Sequence, residues 1–341
     1  MKYLFLLLML MASISTLAQQ HQDLKLWYQT PSGKVWENAL PVGNGRLGAM
    51  VYGNVAHEII QLNEHTVWTG SPNRNDNPDA LAALPEVRRL IFEGKQKEAE
   101  ILAGKTIQTT KSNGQMFQPV GNLELLFNGH EHYTNYYRDL DLTRAVATVR
   151  YQVGQVTYTR EVFASLADQV IVVRLSANKP GQISFQAAVT TLQPRALVTV
   201  NALGDLTITG TTVDHEGVTG KIKFKGMVRI KPERGTVTAT DSMLRVQNAD
   251  AVTMFVSVAT NFNSYKDISG NESLRATTFL NKAFRQKFNQ LLTRHQRAYQ
   301  SYFNRVSFDL GNSEHSKLPT DERLRNFRYV HDPQFVVLYY Q

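Results

Sequence analysis

Val149-Arg150-Tyr151-Gln152-Val153-Gly154-Gln155-Val156-Thr157-Tyr158-Thr159-Arg160 reads as a β-hairpin. Val149, Tyr151 and Val153 alternate with polar neighbours, so they share one face of an extended strand. Gly154-Gln155 supplies a two-residue loop, and glycine reaches the positive φ such a turn needs without steric cost. Val156, Tyr158 and Arg160 return on the partner strand. The pattern continues outward. Leu166–Leu175 is a buried run, followed by strand-like stretches at Gln182–Val189, Leu197–Asn201, Leu206–Gly210, Ile222–Ile230, Gly235–Ala239, Met243–Gln247 and Ala251–Val258. Upstream, Leu24–Tyr28 reads as an edge strand, Leu47–Tyr52 as a buried strand after the Gly43-Asn44-Gly45 turn, and His57–Leu62 as its continuation. Gly48 within the second of these suggests a bulge or a close backbone approach. Many short strands between turn signals predict a mainly β chain built as a large antiparallel β-sandwich, a super-sandwich.

Two stretches change period. In Asp79–Ile107, Leu81, Leu84, Val87, Leu90 and Ile91 form a helical stripe, predicting a short helical insertion divided at Gly94. From about Ser273 to Arg305, Leu280, Phe284, Phe288, Leu291, His295, Tyr299, Tyr302 and Val306 fall on one helical face and predict a helical linker. Thr320 is placed to cap a helix from Asp321. Asp332-Pro333 starts another, with a capping carboxylate and proline at the first position. Phe335-Val336-Val337-Leu338-Tyr339-Tyr340 is apolar all round and should be buried. A helix of about nine residues does not stand alone in water. We therefore expect a chain truncated before the segment that covers it. The expected division is 1–18 signal peptide, 19–270 β-sandwich, 271–320 linker and 321–341 the start of a helical domain.

Composition narrows the function. The 341 residues are 42% hydrophobic and 19% charged, enough for a core and too few charges for a disordered chain. Cysteine is absent, which removes thiol nucleophiles and thiolate metal sites. Lys2, the apolar run Tyr3–Ala12 and Thr16-Leu17-Ala18 before Gln19 form a secretion signal, so a periplasmic or secreted protein is expected after cleavage near Ala18. No later stretch is long and apolar enough for a membrane helix. The net charge of +8 is moderate. Lys221, Lys223 and Lys225 share a solvated strand face, and no nucleic-acid partner is expected. His130-Glu131-His132 lacks an HExxH arrangement, Gly43-x-Gly45 lacks a βαβ context and no Gly-x-Ser-x-Gly elbow occurs. No metal or cofactor is expected.

Four motifs stand in order along the chain. They are Trp36-Glu37-Asn38-Ala39-Leu40-Pro41-Val42-Gly43-Asn44-Gly45-Arg46-Leu47-Gly48-Ala49-Met50-Val51-Tyr52-Gly53, Ile60-Gln61-Leu62-Asn63-Glu64-His65-Thr66-Val67-Trp68-Thr69-Gly70, Phe117-Gln118-Pro119-Val120-Gly121-Asn122-Leu123 and Leu318-Pro319-Thr320-Asp321-Glu322-Arg323-Leu324. Together they resemble the N-terminal region of glycoside hydrolase family 95, the α-L-fucosidases. The resemblance implies hydrolysis of terminal α-L-fucosyl linkages in a fucosylated glycan, with inversion and without cofactor. It also implies a catalytic (α/α)6 barrel after the β-domain that supplies both the acid and the base. Inverting enzymes hold two carboxyl groups about 6.5–9.5 Å apart. Those residues match no position here, so no catalytic residue is assigned and the isolated chain is expected to be inactive. Glu37, Glu64, Asp76 and Asp79 lie in or near the motifs and are the candidates for a local acid–base pair. The alternative to a pair is that Glu37 and Glu64 bond loop backbone or pair with Arg46.

Sugar sites stack rings on aromatics and bond hydroxyls with Asn, Glu and Arg. Trp68, Asn63 and Glu64, with Trp36 nearby, are therefore the candidate substrate-binding residues, at the rim of a pocket. The competing view packs Trp68 under a structural corner. The alternative functions are a non-catalytic carbohydrate-binding or interaction module and an inactive gene fragment.

Overall fold

The computed structural model describes residues 24–109 and 114–341. The signal segment read at Met1–Ala18 lies outside the described residues. The described residues open with β1 (Lys25–Tyr28), β2 (Leu40–Gly43), β3 (Leu47–Val51) and β4 (His57–Glu64), then two helices, α1 (Ala80–Phe92) and α2 (Gln96–Thr106). Strands β5 (Gly121–Leu126), β6 (Thr134–Asp141), β7 (Val146–Val153), β8 (Val156–Ala164), β9 (Ile171–Ala177) and β10 (Ile183–Thr190) follow. The β-region closes with β11 (Ala196–Val200), β12 (Leu206–Thr211), β13 (Lys223–Glu233), β14 (Thr236–Ala239), β15 (Met243–Ala249) and β16 (Ala251–Thr260). Four helices complete the chain: α3 (Glu272–Phe284), α4 (Phe288–Phe303), α5 (Thr320–Asn326) and α6 (Pro333–Tyr340).

The strands form two antiparallel sheets. One has nine strands in the order β1-β6-β7-β8-β9-β16-β13-β12-β11, the other seven in the order β14-β15-β10-β5-β4-β3-β2. The hairpin read from sequence is β7–β8, with Val153 opposite Val156 and Tyr151 opposite Tyr158. Gly154 takes φ +56° at its tip. Leu40, Ile60, Leu123 and Phe185 from the smaller sheet pack against Val149, Val173, Ile208 and Met254 from the larger one. The sandwich and the strand edge at β1 thus follow the sequence reading. Gly48 differs: it pairs in regular register with Gly43 and Asn63, and a Cβ there would meet nothing nearer than 3.8 Å. Its neighbours are ordinary strand residues, so no bulge forms.

The larger sheet is covered on its outer face too. Phe163, Val172, Met227 and Phe255 pack there against Ala276, Leu280 and Leu291 of α3 and α4. Strand β16 is therefore buried on both faces, which explains its unbroken apolar text. The helices are also fastened by polar contacts. The Ser257 hydroxyl donates to Ala276 O at 2.9 Å. Gln286 Nε2 donates to buried Asp168 at 2.9 Å, and Arg294 stands 3.1 Å from the same carboxylate. Tyr299 donates its hydroxyl to Leu142 O at 2.7 Å, and Gln300 donates to Thr143 O. His295 Nε2 lies 3.0 Å from Arg144 O and 3.1 Å from Ala145 O, while its ring stacks on Phe163.

Burial lowers the pKa of His295, outweighing the carbonyls that favour its cation. Burial and Arg160 lower that of His130. Both histidines thus fold neutral. The unfolded chain takes up protons as the pH falls below the ordinary histidine value of about 6.5, and the folded chain resists doing so. This part of the stability is complete above that value and is lost as the pH falls from it towards the lowered folded values. The melting temperature is expected to drop between pH 7 and 5.5, with a shallower drop in His295→Gln. An equal slope in the two proteins would remove His295 from the account.

The interior holds a buried ion pair. Glu58 and Arg160 are 0% and 1% exposed and bond directly to each other. Glu58 also accepts from Gly53 N and Ile59 N, while Arg160 donates to Asn54 O at 3.0 Å and lies over the Phe127 ring.

Elsewhere the helices depart from the sequence expectation. In the insertion, Val87 and Leu90 are buried against Ala99, but Leu81 and Ile91 of the proposed stripe face outward at 83% and 55% exposure. Thr320 does not cap α5: its hydroxyl accepts from Trp27 N at 2.9 Å and ties the helix to the edge strand β1. Asp332 does cap α6, accepting from Phe335 N, and pairs with buried Arg323. Val337 and Leu338 of α6 are buried, whereas Tyr339 and Tyr340 are exposed, so its covering is one-sided.

Candidate functional site

The Gly43-Asn44-Gly45 turn joins β2 to β3 within the smaller sheet and is hydrogen-bonded to the larger one. Gly45 takes φ +83°. Asn44 accepts from Arg46 N and Leu47 N through Oδ1 and donates to Ser165 O through Nδ2. Arg46 then reaches across the sandwich, donating to Gln169 and Val258 O and lying 4.7 Å from the Phe279 ring centroid. Burial pulls its guanidinium below the usual value, partly opposed by Glu64. Arg46 is in this way a scaffold for the end of β4, where the second motif turns out of the sheet.

At that end strand alternation separates the candidates. Glu64 faces inward, 2% exposed, and Asn63 faces the outer side of the same strand. Glu64 Oε2 accepts from Thr66 N at 2.8 Å and from the Thr66 hydroxyl at 2.6 Å, and Oε1 lies 3.7 Å from Arg46. The pairing with Arg46 and with loop backbone is the one weighed from sequence. Trp68 is 43% exposed. Its indole donates to His65 O at 2.8 Å and its ring lies 5.5 Å from Phe117. Trp36 is on a separate 3-10 turn and donates to Gln61 Oε1.

A cavity of about 390 Å³ opens beside Trp68, bounded by His65, Thr66, Asn73, Phe262 and Tyr265. A second, of about 350 Å³, adjoins it and reaches Arg46, Glu64, Asn263 and Arg275. The two share His65, Thr66 and Phe262. Their size suits a small ligand. The structure thus places Trp68 in the lining of the first cavity and Glu64 in that of the second, and leaves Asn63 and Trp36 outside both. Sequence reading passed over His65 and Tyr265; the alternation of Glu64 inward and His65 outward was the available signal for the first, and nothing local pointed to the second.

The other acidic candidates are dispersed. Glu37 sits in the exposed 3-10 turn, Asp76 pairs with Arg74 at 3.0 Å on the surface and Asp79 precedes α1. Among the described residues no group of three or more His, Cys, Asp or Glu side chains is arranged to hold a metal ion.

Residues 26–265 match the family described as "Glycosyl hydrolase family 65, N-terminal domain", and the chain belongs to that N-terminal-domain family. Residues 287–341 match the "Glycosyl hydrolase family 95 catalytic domain", in agreement with the resemblance carried by the four motifs. The chain is 33% identical over 357 residues to Alpha-L-fucosidase 2 of Arabidopsis thaliana, an alignment covering 94% of this chain and 41% of the relative. It is 27% identical over 330 residues to Probable alpha-fucosidase A of Aspergillus niger, covering 90% of this chain and 40% of that protein. A solved structure of a putative kojibiose phosphorylase from human microbiome overlaps 90% of this chain and 42% of its own, with 9% identity and a TM-score of 0.49. The chain spans about two-fifths of the length of these curated relatives.

Proposed function

We propose that this chain is the N-terminal portion of an exported α-L-fucosidase that releases terminal fucose from a glycan with inversion. The carrying observation is the order of the two family matches along one chain, with an α-L-fucosidase similar across 94% of it. In this reading residues 19–270 form the sandwich, 271–320 the linker and 321–341 the start of a helical barrel. The general acid and base belong to the remainder of that barrel. The sandwich supplies a sugar-contacting rim in which Trp68 stacks on the ring and Glu64 supports the polar side, with Asn63 a further candidate on the outer face of β4.

The 341-residue protein is expected to release no fucose from an aryl α-L-fucoside above the uncatalysed blank. Measurable turnover by the purified chain would place an acid–base pair within it and overturn this division of labour. L-Fucose is nevertheless expected to bind the chain weakly in an NMR titration. Trp68→Ala should weaken that binding roughly tenfold, since ring stacking and buried aromatic area are lost together. The melting temperature should change little, because the indole is already 43% exposed. A carbohydrate-binding module gains support from the same groove. That reading predicts tight glycan binding by this chain and no fucosidase activity in any longer form of the protein.

A further inference from the structure

His65 stands where the two cavities meet and lines both. Its side chain is 57% exposed, and Nδ1 lies 3.2 Å from Oε1 of Glu64, whose side chain is 3% exposed. The backbone around it is fixed on both sides: His65 N donates to Arg46 O at 2.9 Å, and His65 O accepts from the Trp68 indole. Glu64 is enclosed by Thr66, Arg46 and His65, so it is poorly placed to meet a ligand directly. Its charge is expressed at the groove through the imidazole. With Nδ1 turned to the Glu64 carboxylate, Nε2 is the ring nitrogen free to meet a ligand as acceptor or donor. His65 and the Trp68 ring border the same cavity, one offering a polar contact and the other an apolar face. Tyr265, 74% exposed, and Asn73 bound the same cavity.

We propose that His65, oriented by Glu64, is the polar contact that bonds a hydroxyl of a pyranose ring stacked on Trp68. Glu64 then acts as a positioning residue, and the sugar does not touch its carboxylate. The inference rests on the glycan reading above and assigns a contact within it.

The test titrates L-fucose into the full chain carrying 15N-labelled histidine, following the imidazole nitrogens and the melting temperature. The His65 Nε2 signal is expected to move in step with sugar occupancy. His65→Phe should weaken binding about fivefold, the loss of one neutral hydrogen bond, while His65→Gln retains most of the affinity because it keeps a side-chain acceptor. Both variants should melt close to the parent, since the side chain is largely exposed. Glu64→Gln should shift the His65 tautomer signature and weaken binding by a smaller factor than His65→Phe. If fucose binds, Trp68→Ala weakens it and His65→Phe binds as tightly as the parent, the His65 assignment is overturned and the glycan reading stands. If the parent shows no binding, or Trp68→Ala leaves it unchanged, both fall.

Discussion

Arg160→Ala is expected to lower the unfolding free energy by about 3–5 kcal/mol, measured by urea unfolding at neutral pH. The reason lies in what remains. Glu58 is 0% exposed, and its remaining bonds would be the N–H groups of Gly53 and Ile59. A carboxylate left in that interior without its guanidinium has lost both water and counter-charge. Removing both charges is a different experiment. Glu58→Leu with Arg160→Met is expected to recover most of the loss, because well-packed apolar replacements of a buried pair are often neutral or stabilising. The pH dependence gives a second check. Burial already pushes the Glu58 pKa up in the parent, and loss of Arg160 pushes it further. A folded pKa above the unfolded one makes the carboxyl group most favourable to the fold at low pH and less so as the pH rises through the folded value. The deficit of Arg160→Ala relative to the parent should accordingly shrink as the pH is lowered from 7 towards 5. A loss under 1 kcal/mol, or a deficit that grows on acidification, would contradict this account.

Phe255→Ala is expected to cost about 3–5 kcal/mol as well, through lost transfer energy and a cavity. Phe255 is 0% exposed on the outer face of β16, edge-on to Phe284 at 5.4 Å and clustered with Leu280 and Ala283. Its site differs from a position between the sheets. The side chain holds α3 to the sandwich, while Met254 and Val256 on the opposite face hold the two sheets together. Hydrogen exchange should therefore show the larger loss of protection in α3 and the start of α4, with β7, β8 and β9 less affected. Uniform loss across the chain would mean that helices and sandwich unfold as one unit. Phe255→Leu should recover more than half of the stability, since it keeps most of the buried apolar volume.

These two sites show how far local text carries. The Val149–Arg160 hairpin is legible because alternation and a two-residue glycine loop are both local signals, and its register follows from them. The apolar text of β16 shows that it is buried, but cannot say that one face meets a sheet and the other a pair of helices. The same ambiguity accounts for the insertion, where spacing alone put Leu81 and Ile91 on a buried stripe. Val87 and Leu90 are the stripe residues that became buried, because α1 packs against the short α2.

The candidate site divides in the same way. Trp68 and Glu64 were singled out from one motif, and period two placed Asn63 on the opposite face from Glu64. The motif itself contains His65, but its role depends on residues far away in the chain. Phe262 and Tyr265 arrive from the turn after β16, nearly two hundred positions later, and Arg46 comes from the preceding strand connection. By itself, the sequence determined that this chain is a strand-rich sandwich of glycoside hydrolase kind, with a helical segment after it, because alternation, turn residues and motif order are properties of neighbouring positions. Only the tertiary structure decided which strands are buried twice, that Thr320 serves an edge strand in place of its own helix, and that His65 borders a groove. Those facts are contacts between distant segments, and no local preference encodes them.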